Sequence, residues 1–93
     1  VSASDILSEK FSDSIFLDVR NQSELSNGSI SHSVNIPLKE LNERLHELDP
    51  KKQYAVYCAG GYRSMMACSI LKKNHYSNVV NVVGGFNSIL NFL

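Results

Sequence analysis

The chain has no tryptophan, only two cysteines and two prolines, and no excess of either charge. Each shortage excludes a class of protein. Two cysteines do not make the disulfide framework of a small secreted domain. A helix beginning near Tyr62 carries Cys68 along its axis and turns it away from Cys58, so a bridge between the two would be strained. Both thiols are therefore expected to stay reduced, which points to a cytoplasmic location. Nine basic side chains cancel nine acidic ones, and a neutral chain without a basic run offers nucleic acid no electrostatic footprint. No apolar stretch approaches the ~20 residues of a membrane span. No histidine or second cysteine stands near Cys58 at ligand spacing, so no metal is expected. Small molecules or other proteins remain as partners. Of the 93 residues, 43% are apolar, which is enough for one core without disulfide staples. The chain opens at Val1 without a methionine and stops one short helix after Gly85. It therefore reads as a single domain, residues 1–93, cut from something longer.

Strand and helix signals alternate, with no repeats and no low-complexity segment. Ser4 is placed to cap a first helix through Phe11, and Ile15 to Asp18 is a short apolar strand. Asn21 to Ser26 reads as a brief helix stopped by Asn27-Gly28. Ser33 to Ile36 is a second strand. Pro37 then opens a helix with Leu38, Leu41, Leu45 and Leu48 on one face, ended by Asp49-Pro50; Lys39, Glu40, Glu43 and Arg44 form its solvated side. Tyr54 to Tyr57 is a third strand. A helix from about Tyr62 to Asn74, a strand from Val79 to Val83 and a last helix from Asn87 complete the pattern. This order predicts an α/β fold, a parallel sheet with helices on both faces, whose ligands sit outside the carboxyl ends of the strands.

The chemistry concentrates in Tyr57-Cys58-Ala59-Gly60-Gly61-Tyr62-Arg63-Ser64. Cys58 ends a buried strand and faces the start of the next helix, where unpaired backbone N–H groups and the positive end of the helix dipole favour an anionic sulfur. Gly60 and Gly61 let the backbone curl and aim its amides inward. Arg63 adds a nearby cation. These features together predict a reactive thiolate with a pKa below the ordinary ~8.5. Cys68, beside Met65 and Leu71 at helical spacing, reads as a half-buried core thiol, with a resolving role as the alternative. Tyr62 reads either as a pocket wall or as an exposed aromatic at a helix start.

The run CAGGYRS resembles the active-site loop of rhodanese-type sulfurtransferases, in which a cysteine, four intervening residues and an arginine cradle a persulfide. Leu17-Asp18-Val19-Arg20 with Glu24, Gly28, Ile30 and Asn35-Ile36-Pro37 resembles the first signature of that family. Val83-Gly84-Gly85-Phe86 resembles the closing one. Two positions depart from the pattern, Ser29 in place of a histidine and Ile89 where a tryptophan is common; both lie outside the loop.

The resemblance implies a rhodanese-like fold with a mostly parallel sheet of about five strands. It also implies sulfur transfer through a Cys58 persulfide, from thiosulfate or a small persulfide to a thiol or cyanide, without a cofactor. Cys58 would be the nucleophile, and Ala59, Gly60, Gly61, Tyr62, Arg63 and Ser64 would bind the substrate, with Arg63 either meeting the donor's charge or bracing the loop. The alternatives are a non-catalytic docking module of the same fold and a sulfur-relay domain of a larger enzyme with a metallo-β-lactamase-fold partner, which would make an upstream domain or a sulfur-accepting protein its partner. Phosphatases and arsenate reductases also set a cysteine and an arginine around amides. The phosphatase loop has five intervening residues, not four, and uses a general acid, whereas no acidic residue follows Asp49 here.

Asp18 and Arg20 follow a strand end. They either border the pocket or play a structural part, Arg20 pairing with Glu24 to pin the adjoining helix; the structural part is preferred because such pairs are usually architectural. His32, His46 and His75 have no companion that would make a relay, and each is expected at the surface.

Overall fold

The structure is a computed structural model that describes residues 1–30 and 32–92. Four strands form its sheet: β1 (Ile15–Asp18), β2 (Val34–Asn35), β3 (Tyr54–Tyr57) and β4 (Val79–Asn81), in the order β2-β1-β3-β4. All three pairings are parallel, with Leu17 opposite Val34 on one side and Val56 on the other, and Val56 opposite Asn81. Every residue of β3 is buried, as a central strand covered on both faces requires. Tyr54, Val56 and Cys58 enter one core cluster with Leu17, Leu41, Ala67 and Leu71. Ala55 and Tyr57 enter the other with Ala3, Ile6, Phe86 and Ile89. The alternation along β3 thus divides the core, with α2 (Tyr62–Lys73) on one face of the sheet and α1 (Ala3–Ile6) and α3 (Gly85–Ile89) on the other.

Several boundaries differ from the sequence expectation, each for a local reason. The sheet has four strands among the described residues. Val1 alone lies along the outer edge of β4, its N donating to Asn81 O and its O accepting from Val83 N. β4 ends at Asn81 instead of Val83 because a turn follows at once, Gly85 N donating to Val82 O at 3.1 Å. Helix α1 is capped by Ser2, not Ser4: Ser2 Oγ accepts from Asp5 N at 3.1 Å while Asp5 Oδ2 accepts from Ser2 N at 3.3 Å, a reciprocal capping box. It ends at Ile6 because Ser8 donates both N–H and Oγ–H to Asp5 O, and a separate 3-10 turn follows at Glu9–Phe11.

The leucine-rich segment after Pro37 is two 3-10 turns, Leu38–Glu40 and Leu45–Glu47, and not one helix. Its carbonyls are taken by tertiary partners: Tyr76 Oη donates to Leu45 O at 2.7 Å and to Leu48 O at 3.3 Å. Leu41 and Leu48 still reach the core. The face expected to be solvated carries Arg44 between Glu40 and Glu47. Helix α3 begins at Gly85, two residues before the expected Asn87.

Strand order places the active loop. The chain leaves β1 for β2 on one side and returns to β3 on the other, so the order reverses between β1 and β3. A crevice opens outside the carboxyl ends of two strands at such a switch point. Cys58 follows β3 there, facing the segment that follows β1.

Candidate active site

Cys58 lies at the floor of a loop wrapped around its sulfur. Sγ accepts from Gly61 N at 3.0 Å and from Ser64 N at 3.4 Å, and lies 3.6 Å from Ser64 Oγ. Gly61 makes this possible with φ +107, in the left-handed region, where it caps α2 and turns its amide toward the sulfur. Gly60 has no positive φ, and a Cβ there would meet nothing within 4 Å. The carbonyls of Cys58 and Ala59 are gripped from behind: Phe86 N donates to Cys58 O at 2.7 Å and Asn87 N to Ala59 O at 3.1 Å. Gly85, with φ +57, permits the approach, since a Cβ on it would lie 2.8 Å from Ala59 O and nearer still to Cys58 O.

Burial raises the Cys58 pKa, and the hydrogen bonds from the Ser64 hydroxyl and the amides of Ser64, Gly61 and Gly60 outweigh it, leaving the thiol below its ordinary value. Of the two parts expected of Arg63, the geometry shows the brace. Its Nη1 and Nη2 meet Glu24 Oε1 and Oε2 at 2.5 Å and 3.0 Å. The guanidinium therefore braces the cysteine loop against the segment after β1. Glu24, held mainly by that bond, falls to a pKa of about 2.

Glu24 is thus the partner of Arg63, not of Arg20 as the sequence had suggested. Arg20 turns back on Asp18, its Nε 3.0 Å from both carboxylate oxygens and its Nη2 2.7 Å from Oδ2. It also donates to Gly28 O at 2.8 Å and lies 4.5 Å from the centre of the Phe86 ring. Asp18 is 0% exposed and Arg20 2%. These two residues tie the first and last thirds of the chain together beneath the loop and do not line its mouth.

The mouth is apolar on one side. Tyr62 and Met65, 77% and 59% exposed, stand over a shallow pocket of about 270 Å³ whose lining also includes Gly60, Gly61, Asn81 and Val83. Tyr62 is thus both pocket wall and exposed aromatic. Cys68 is buried on the core side of α2, and burial raises its pKa. All three histidines are exposed, His32 and His75 in left-handed turns.

A family model described as a rhodanese-like domain matches residues 2–91. The chain belongs to the rhodanese-like domain family. It is 29% identical to a sulfurtransferase of Allochromatium vinosum over 85 residues, 88% of this chain and 79% of that one. It is 36% identical to a putative sulfurtransferase of Bacillus subtilis over 69 residues, 74% of this chain and 66% of its relative. The crystal structure of a rhodanese-related protein from Thermoplasma volcanium superposes with a TM-score of 0.90 at 40% identity, covering 99% of this chain and 90% of the other. Among the described residues, no helix is long and apolar enough to cross a membrane.

The geometry joins the three signature segments of this chain. The Asp18-Val19-Arg20 run and Gly28 build the buried ion pair, the closing Gly-Gly-Phe grips the loop carbonyls and covers that pair, and Glu24 holds Arg63. Sequence reasoning missed Asn81, whose Oδ1 lies 2.5 Å from Ser64 Oγ. A single polar residue inside Val79-Val80-Asn81-Val82-Val83, at the carboxyl end of a strand, was the available signal.

Proposed function

We propose that this rhodanese-like domain is a sulfurtransferase in which Cys58 carries the moving sulfur. The carrying observation is the set of N–H groups converging on Cys58 Sγ from Gly61 and Ser64. A thiolate so held attacks the outer sulfur of thiosulfate, or of a small persulfide. The new bond joins Cys58 Sγ to that sulfur, the donor's S–S bond breaks, and its electron pair leaves with sulfite or the donor thiolate. An acceptor thiolate or cyanide then attacks the terminal sulfur, and Cys58 departs again as a thiolate. Electrons balance across both steps without a cofactor.

The amides of the Ala59–Ser64 loop stabilise the terminal anion, and they cost little reorganisation because α3 and the Arg63–Glu24 pair already fix the loop. Donor and acceptor enter over Tyr62 and Met65. Four intervening residues suit a single sulfur atom better than a tetrahedral oxyanion, and no acidic residue after Asp49 serves as a leaving-group acid. The test is thiosulfate:cyanide exchange measured beside aryl phosphate hydrolysis. Exchange in the native domain that vanishes in Cys58→Ser, with no hydrolysis, is expected. Cys58-dependent hydrolysis that exceeds exchange would contradict the reading.

A further inference from the structure

The Ser64 hydroxyl carries one proton and has three neighbours able to take it. Cys58 Sγ lies 3.6 Å from Ser64 Oγ, Gly61 O 3.0 Å and Asn81 Oδ1 2.5 Å. With Cys58 as a thiol the protons run outward: S–H donates to Ser64 Oγ, and Ser64 O–H donates to Asn81 Oδ1. A thiolate has no proton to give and, as the one anion among the three neighbours, draws the Ser64 proton to itself beside the N–H groups of Gly61 and Ser64. Asn81 Oδ1 would then face Ser64 Oγ at 2.5 Å with no proton between two oxygens, which is repulsive. Turning the carboxamide over about its last side-chain bond removes the conflict, because Nδ2–H then donates to Ser64 Oγ. Two observations leave the amide free to turn. Asn81 Nδ2 donates to no group among the described residues, and the side chain lines the pocket beside the loop.

We propose that Asn81 is a positioning residue that sets the direction of the Ser64 proton, its carboxamide turning over as Cys58 passes between thiol and thiolate. Asn81 acts only through Ser64. Asparagine suits the place because it both donates and accepts, whereas aspartate accepts only. The relay deepens the proposed function at the same site, but its test reads the thiol and not sulfur transfer, so each can fail without the other. The charged groups around Cys58 are accounted for separately. Asp18 at the end of β1 is paired with Arg20, Arg63 on α2 is paired with Glu24, and the Val1 ammonium binds the Asn81 carbonyl. Strand β4 and helix α3 carry no ionisable side chain.

The experiment is a double-mutant cycle on the pH midpoint of Cys58 alkylation by iodoacetamide, followed by peptide mapping. Asn81→Asp is made with Ser64 present and again in Ser64→Ala. Through-space charge raises the midpoint in both, but only with Ser64 present does the carboxylate also hold back the hydroxyl proton. The first shift should exceed the second by about half to one pH unit, the worth of one hydrogen bond. Equal shifts would overturn the relay. Should Asn81→Asp fail to fold, the side-chain amide signals of Asn81 in the ¹⁵N-labelled native chain decide instead. They should titrate with the Cys58 midpoint and stay flat in Cys58→Ser; signals flat through that midpoint in the native chain would overturn it.

Discussion

Arg63 and Glu24 form a two-pronged ion pair across the switch point of the sheet, joining the cysteine loop after β3 to the turn after β1. The pair is about one-third exposed, so its contribution to stability is discounted for solvent. Its sign is clear. The hydrogen bond from Arg63 lowers the Glu24 pKa from 4.5 to about 2, so the contribution is complete above 4.5 and is lost as the pH falls through 2. Glu24→Gln should cost about 1 kcal/mol at neutral pH and should flatten the native loss of stability between pH 4.5 and 2. Thermal melts across that range measure it, and a Glu24→Gln curve parallel to the native one would count against the brace.

The two loop glycines should respond differently to a methyl group. Gly60→Ala meets open space and should change stability by less than about 0.5 kcal/mol. Gly61→Ala forces an L side chain to φ +107, with a Cβ 3.3 Å from Gly84 N. It should cost about 2 kcal/mol or more and lessen the acidity of Cys58. Denaturant unfolding and thiol titration of both variants test the contrast.

The buried pair of Asp18 and Arg20 is architectural, so truncating one partner should act on the fold before it acts on chemistry. Arg20→Ala leaves the Asp18 carboxylate uncompensated in a dry site and should cost about 3–5 kcal/mol. Unfolding by urea is the measurement. A fully stable Arg20→Ala protein lacking only sulfur transfer would place Arg20 in the pocket instead.

Alkylation should separate the two thiols. Cys58 is below the ordinary cysteine range because amides and a hydroxyl point at it, and Cys68 is above it because it is buried without such partners. Cys58 should therefore react with a midpoint below ~8.5, while Cys68 stays slow until the protein is unfolded. Equal rates in the native state would remove the acidic thiol from the account.

Strands β1 and β3 and helix α2 were legible in the sequence because short apolar runs and a twelve-residue helix depend on local pattern. The placement of Cys58 at a strand end facing a helix start followed from them. The segment after Pro37 was misread because its leucines repeat at helical spacing while Tyr76, far along the chain, takes its carbonyls. The partners of Glu24 and Arg20 were misjudged for a related reason. Spacing along the chain joins Arg20 to Glu24, whereas the sheet brings Glu24 to Arg63, 39 positions away. Asn81 and Ser64 meet through strand order alone.

The central claim, that Cys58 receives and passes on one sulfur atom, is tested most directly by intact mass after incubation with thiosulfate. The account predicts a gain of one sulfur, mapped to Cys58, removed by cyanide and absent in Cys58→Ser. A gain that maps to Cys68, that persists in Cys58→Ser, or that never forms with Cys58 intact and reduced would contradict it.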